Sequence, residues 1–439
     1  MSVMHLQPNP YLRILTAILP TRGLFLFKVS ISINLFKYLI GNILKRTNKV
    51  VANIMSIVLW SKGFCDLLTV FQINSYHLLV DALPMEKAYS ISFLDQARQQ
   101  QDALAGDVIA WFFPTRKHQL KSVLDKVVDN GFEPDPDLPA VFHQLYQDVF
   151  KSNEEVSDAV LIKGQQFFSR HSSDILLLLG LLSLPYCYAA AEGSEVLIRS
   201  KRILEEPETR LTETAQFVFD VTAPDAFTAS GKGLASILKV RLMHAAIRYY
   251  ISASNRWPKD FAPPINQEDM AGTNLSFSLI PIRGLRKLGK RISAQESMDY
   301  ISYWNHIGRL LGITPVLLPD STRSAYLLER NIRQRQFRKS EAGVKLTASL
   351  LSYFDLMMKG TNMAGNARPF VRYLMGNVVA DKVGLEVGKV DQQFFKPFTQ
   401  FLKFRNLFFE KEDSYLAAYK TFLERQEETG QKVSLQYKA

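Results

Sequence analysis

Residues 231–254 read GKGLASILKVRLMHAAIRYYISAS, a stretch without proline in which apolar residues recur at helical spacing. At 100° per residue, Leu234, Ile237, Arg241, His244 and Arg248 fall on one stripe. Its lower half is apolar and its upper half is Arg, His, Arg. Two readings fit that pattern. One is a core histidine hydrogen-bonded to a neighbour, with the arginines reaching the surface, and on spacing alone it is the simpler one. The other is a ligand site: a neutral imidazole is a good axial ligand for haem iron, and flanking guanidinium groups pair with propionates. Ala245 and Ala246 would leave room for something bulky to approach the backbone.

Upstream, EEPETRLTETAQFVFDVTAP predicts a helix beginning near Pro207. Arg210, Glu213, Thr214 and Phe217 lie at i, i+3, i+4 and i+7, one face again. That face reads either as a pocket wall of cation, carboxylate, hydroxyl and aromatic, or as an exposed Arg–Glu pair over packed Thr and Phe. Downstream, PPINQEDMAGTNLSFS (263–278) reads as a loop entering a helix, with Asn266 capping and Asp269 returning the hydrogen bond.

The same periodicity runs through nearly the whole chain from Met85 on, with prolines as helix boundaries. Residues 175–191 are uncharged, nearly long enough to span a membrane. Pro185 interrupts them, and Asp174, Glu192 and Glu195 bracket them, so a buried core helix is expected. The expectation is all-α: a single large helical domain over residues 85–430, with 431–439 a flexible tail.

The chain has 439 residues, 47% hydrophobic and 22% charged, which excludes a disordered protein. Two cysteines, Cys65 and Cys187, exclude a cystine framework and a zinc ribbon. The net charge of +11 is unevenly placed: residues 1–84 hold eight Lys/Arg against two Asp/Glu. This apolar, basic extension has no uninterrupted spanning stretch and no signal-peptide pattern. It reads as an interfacial membrane segment, a docked helical extension, or sequence upstream of a natural start at Met85. IRGLRKLGKR (282–291) and RNIRQRQFRK (330–339) are basic enough to suggest nucleic acid. With Phe337 their only aromatic, they read as solvated helix faces instead, and no nucleic-acid partner is expected.

Taken in order, RLTETAQF, GLASILKVRLMHAAIR, RWPKDFAPPINQEDMAGTNLSFS and YWNHIGRLLGITPVLLP resemble the haem b oxygenase family of the latex-clearing proteins and the mycophenolic-acid-pathway oxygenase. The resemblance covers about 85–426. It implies a globin-like helical core holding haem b, with His244 as axial ligand and Arg241 and Arg248 beside it. It also implies dioxygen as co-substrate and oxidative cleavage or oxygenation of C=C bonds in an isoprenoid or other hydrophobic molecule. The family's distal arginine and threonine match Arg210 and Thr214, whereas its lysine is replaced by Glu213. An acid–base carboxylate falls on Glu192 or Glu195. With no Arg-Arg export signal, the expected location is cytoplasmic, with membrane contact through 1–84. The competing readings are a non-catalytic haem sensor or carrier, and a helical membrane-associated protein without haem.

Overall fold

Ser90 and Asp102 set the first two helices. Each side-chain oxygen accepts a backbone N–H three residues on, from Phe93 at 3.2 Å and Ala105 at 3.4 Å. Helices α1 (Ile91–Gln99) and α2 (Ala103–Phe112) therefore begin where otherwise unpaired amides are satisfied. There follow α3 (Lys117–Lys126), α4 (Ala140–Tyr146), a π-turn (Gln147–Lys151), α5 (Asp158–Leu178), a second π-turn (Leu179–Ser183), α6 (Leu184–Tyr188), α7 (Ala191–Arg199), α8 (Pro207–Thr222) and α9 (Gly233–Ala253). The order continues with α10 (Gln267–Phe277), α11 (Leu279–Lys287), α12 (Ala294–Leu310), α13 (Thr322–Gln336), α14 (Glu341–Met357), α15 (Ala367–Met375), α16 (Asn377–Lys382) and α17 (Tyr415–Glu428). This computed structural model describes residues 89–152, 156–199, 207–357, 359, 367–386 and 414–428. Among them the fold is all-α, with one isolated bridge, Ala190 to Phe337, and no strand. The expected extension at 1–84 and tail at 431–439 lie outside the described residues.

Helix α5 is the axis of the core. It packs on α12 and also meets α8, α11 and α17. The α5–α12 crossing is close because Gly164 faces Tyr303: a Cβ at 164 would sit 2.2 Å from the Tyr303 Cγ. Tyr303 is fully buried and its hydroxyl donates to the Val221 carbonyl at the end of α8. One glycine thus brings three helices together.

The uncharged stretch 175–191 is indeed core. Ile175, Leu178, Leu181 and Leu182 are buried, and the helical run 158–188 is long and apolar enough to cross a membrane, but the 18-residue apolar window that makes it so is 67% buried within the fold. Pro185 interrupts the α-helical register, as expected, without ending the helical run. The π-turn at 179–183 lies just before it, where the wider register accommodates a residue that cannot donate.

Candidate active site

Helices α8 and α9 form an antiparallel pair joined by residues 223–232. Asn130 fixes that joint from outside. Its Oδ1 accepts the Leu234 and Ala235 amides at 2.9 and 3.2 Å, and its Nδ2 donates to the Ala226 and Thr228 carbonyls at 2.8 and 2.7 Å. Helix α9, whose own preceding residue Lys232 makes no side-chain cap, is thereby capped in trans. Beyond the joint, the Ser236 hydroxyl donates to Asp220, pinning the two arms. Counting outward at about 1.5 Å per residue, Thr214 and Glu213 lie about 9–11 Å up one arm and His244 about 12 Å up the other. The two sequence stretches singled out for chemistry therefore sit at nearly the same level of one hairpin. Glu213 is buried, 8% exposed, so the exposed ion-pair reading of this face fails for it. Thr214 and His244 are half-buried. Arg210 lies on α8, but its side chain is outside the described residues.

The arginines of the α9 stripe turn out to differ from each other. Arg241 Nε and Nη2 grip the Asp102 carboxylate at 2.7 and 3.0 Å, while Nη1 meets Asp148 and the Leu310 carbonyl at 3.1 Å. Burial works against its charge, but the two carboxylates outweigh burial and raise its pKa. It is a strut joining α9 to the α2 N-terminus, the first π-turn and α12, contrary to the expected cofactor-facing role. Gly312, at φ +91°, leaves room for this contact, since a Cβ there would lie 2.7 Å from Asp102 Cγ and 2.9 Å from Arg241 Nε. Arg248 is also buried, but only its Nη2 is used, on the Asp102 carbonyl at 3.1 Å. Its Nη1 is buried with no hydrogen-bond partner among the described residues. Burial lowers the Arg248 pKa, partly offset by Asp102 and reinforced by Arg241. A buried guanidinium nitrogen in that state fits an anionic group such as a propionate. Ala245 and Ala246 do not open a space as expected. They are buried within the hydrophobic core.

The N-Q-E-D segment does more than cap a helix. Asn266 Oδ1 accepts the Asp269 amide at 3.0 Å as expected, but Asp269 returns its bond to the Asn266 side chain, at 2.9 Å, not to its backbone. Glu268, fully buried, accepts from Arg98 Nη1 at 3.1 Å, Arg335 Nε at 2.9 Å and Gln336 Nε2 at 3.1 Å. Arg98 also meets Asp269 at 3.1 Å and Glu192. Gln267 bonds the Gly312 carbonyl and the Thr314 amide, both at 2.9 Å. This network ties α1, α7, α10 and α13 together beneath the Arg241 strut. Sequence reading missed it because Arg98, Arg335 and Arg338 lie far from 268 along the chain. The only local signal was two adjacent acids at a helix start.

The network separates the two candidate carboxylates. Glu192 accepts from Arg98, from Arg338 at 2.9 Å and from the Ala262 amide at 3.1 Å. Burial works to raise its pKa, but these donors outweigh burial and hold it below the ordinary carboxylate value. Glu195 makes an i,i+4 pair with Arg199 at 2.8 Å.

The basic runs are not simply solvated, as expected. Arg283 and Arg333 bond Glu329 at 2.6 and 2.9 Å, Lys290 bonds Asp174 at 2.8 Å, and Arg338 bonds Glu192. His171 sits inside α5 at a non-helical φ of −131°, with its ring against Phe167. His306 is buried on α12 with its ring against Phe227. Burial, helped by Arg309, pushes its pKa down to about 4. The unfolded chain, titrating near 6.5, takes up that proton first as pH falls. Stability is therefore full above pH 6.5 and declines toward pH 4, by up to about 3 kcal/mol. Unfolding midpoints measured across that window should fall, and His306→Gln should flatten the slope. An unchanged slope in the variant would assign it to other groups.

Among the described residues no three His, Cys, Asp or Glu side chains gather as a bare-metal site. The donor set on the hairpin, one half-buried imidazole and one under-bonded arginine four residues on, suits a group that brings most of its own ligands. The chain belongs to the family described as ER-bound oxygenase mpaB/B'/Rubber oxygenase, catalytic domain, whose model matches residues 170–404, just over half of the chain. It is 24% identical over 255 residues to the rubber oxygenase of Streptomyces sp. (strain K30), an alignment covering 56% of this chain and 61%, less than two thirds, of that relative. Among solved structures it is similar to latex clearing protein LCP in the closed state, with a TM-score of 0.61 and 19% identity over 78% of this chain and 95% of that one. That likeness shows a shared fold.

Proposed function

We propose that this protein is a haem b-dependent oxygenase that uses dioxygen to cleave or oxygenate C=C bonds in a hydrophobic, isoprenoid-like substrate. The observation that carries the reading is the α8–α9 hairpin, on which His244 lies at nearly the level of Glu213 and Thr214 and Arg248 Nη1 is buried with no hydrogen-bond partner among the described residues. His244 would hold the iron, and Arg248, not Arg241, would pair with a propionate. When bound, the haem supplies dioxygen activation; the protein supplies orientation and water exclusion. On the α8 arm, which also carries Arg210, Thr214 would offer a hydrogen-bond donor, Glu213 would set the local charge, and Phe217 would keep the wall apolar. Glu192 is taken up by Arg98, Arg338 and the Ala262 amide, which leaves Glu195 as the carboxylate that would exchange the proton. The substrate class follows the rubber oxygenase named among its relatives. The site is placed on the cytoplasmic side, with membrane contact through residues 1–84, in line with the ER-bound members that the family description names.

The test pairs haem content and the ferric absorption spectrum with oxygen uptake on short isoprenoids. Thr214→Ala is expected to retain haem and lower uptake about 10-fold or more. Glu213→Lys is expected to keep the fold and shift the ferric spectrum or the substrate range, because it reverses a buried charge. Unchanged spectra and rates in both variants would move α8 away from the reacting centre. Haem without any substrate-dependent uptake would indicate a sensor or carrier.

A further inference from the structure

A cavity of about 290 Å³ opens between the π-turn after α5, α11, α13 and the α15–α16 turn. None of its lining residues lies on α8 or α9. Its floor is apolar, formed by Leu182, Ile280, Leu374, Met375 and Val379. Its wall carries Arg283, Lys287 and Arg333 and, among the described residues, no carboxylate. Glu329 stands behind that wall, 4% exposed, and is saturated by Arg283 Nη2 at 2.6 Å, Arg333 Nε at 2.9 Å and the Tyr186 hydroxyl. Neither guanidinium makes another hydrogen bond among the described residues, and each side chain is 30% exposed. Lys287 Nζ reaches only the Tyr373 and Leu374 carbonyls, at 3.0 and 2.9 Å, which are dipoles and not charges.

Three cations therefore meet one carboxylate here. Three other arginines show the reverse. Arg98 faces three carboxylates, Arg241 two and Arg335 two. Lys287 is exposed; partial burial lowers its pKa, and the neighbouring Arg283 adds to that. An excess of positive charge beside an apolar floor selects for a ligand with both characters.

We propose that this cavity binds a small anionic amphiphile, a carboxylate-headed chain of about ten carbons by volume, with its head between Arg283 and Lys287 and its tail on the Leu182–Ile280–Val379 floor. Isothermal titration of the full chain with decanoate, decanol and decyl phosphate tests this. Decanoate should bind saturably at one site, with decanol at least 10-fold weaker. Lys287→Met leaves the Glu329 cluster intact and should weaken decanoate at least 10-fold. Val379→Trp should remove the binding by filling the floor; if that variant does not fold, Lys287→Met decides alone. Equal affinity for decanoate and decanol, unchanged binding by Lys287→Met, or no saturable binding at millimolar decanoate would each overturn the proposal. Tighter binding of decyl phosphate than of decanoate would overturn the carboxylate assignment.

Discussion

Glu268→Ala is expected to destabilise the protein by about 3–5 kcal/mol, the range for removing one partner from a buried ion-pair network. The carboxylate is fully buried and takes hydrogen bonds from Arg98, Arg335 and Gln336, on helices before and after it in the chain. Its loss leaves Arg98 with Glu192 and Asp269, and Arg335 with the exposed Asp95. Burial pushes the Asp269 carboxyl up to about 6, with Glu268 adding to that rise, so at pH 7 this remaining neighbour is mostly ionised and offsets part of the loss. The thermal midpoint should fall by about 10 °C. Glu268→Gln retains the side-chain shape and one acceptor oxygen, and should fall less. A midpoint within about 2 °C of the parent for Glu268→Ala would show that the network carries little of the fold's stability.

Much of this architecture was legible in the sequence because it rests on local signals. The 231–254 helix is found at Gly233–Ala253, and the helix expected near Pro207 begins there. Periodicity and proline placement report such features directly. Periodicity also put Arg241, His244 and Arg248 on one stripe. It could not say what that stripe faces, because Asp102, which receives both arginines, lies well over a hundred residues upstream. Arg241 therefore read as a cofactor residue and proves to be a strut. The same limit hid the Arg98–Glu268–Arg335 network, and it made 330–339 look like a solvated basic face although Arg333, Arg335 and Arg338 all hold carboxylates. Charge pairing across distant helices leaves no periodic trace along a single chain.

His244→Ala is expected to abolish stoichiometric haem binding. On the proposed reading, its loss would leave only hydrophobic enclosure and the Arg248 contact to hold the group. His306→Gln should retain it, since that imidazole is packed on α12 against Phe227 and is held neutral by burial. Arg248→Ala should weaken retention, and Arg241→Ala should act through stability, because its partners are Asp102 and Asp148. The most direct measurement is the absorption spectrum of the purified full chain, with haem quantified as its ferrous pyridine complex, beside His244→Ala. The account predicts a Soret band with about one haem b per chain in the parent and none in the variant. A folded parent without a Soret band, or equal haem in both proteins, would contradict it.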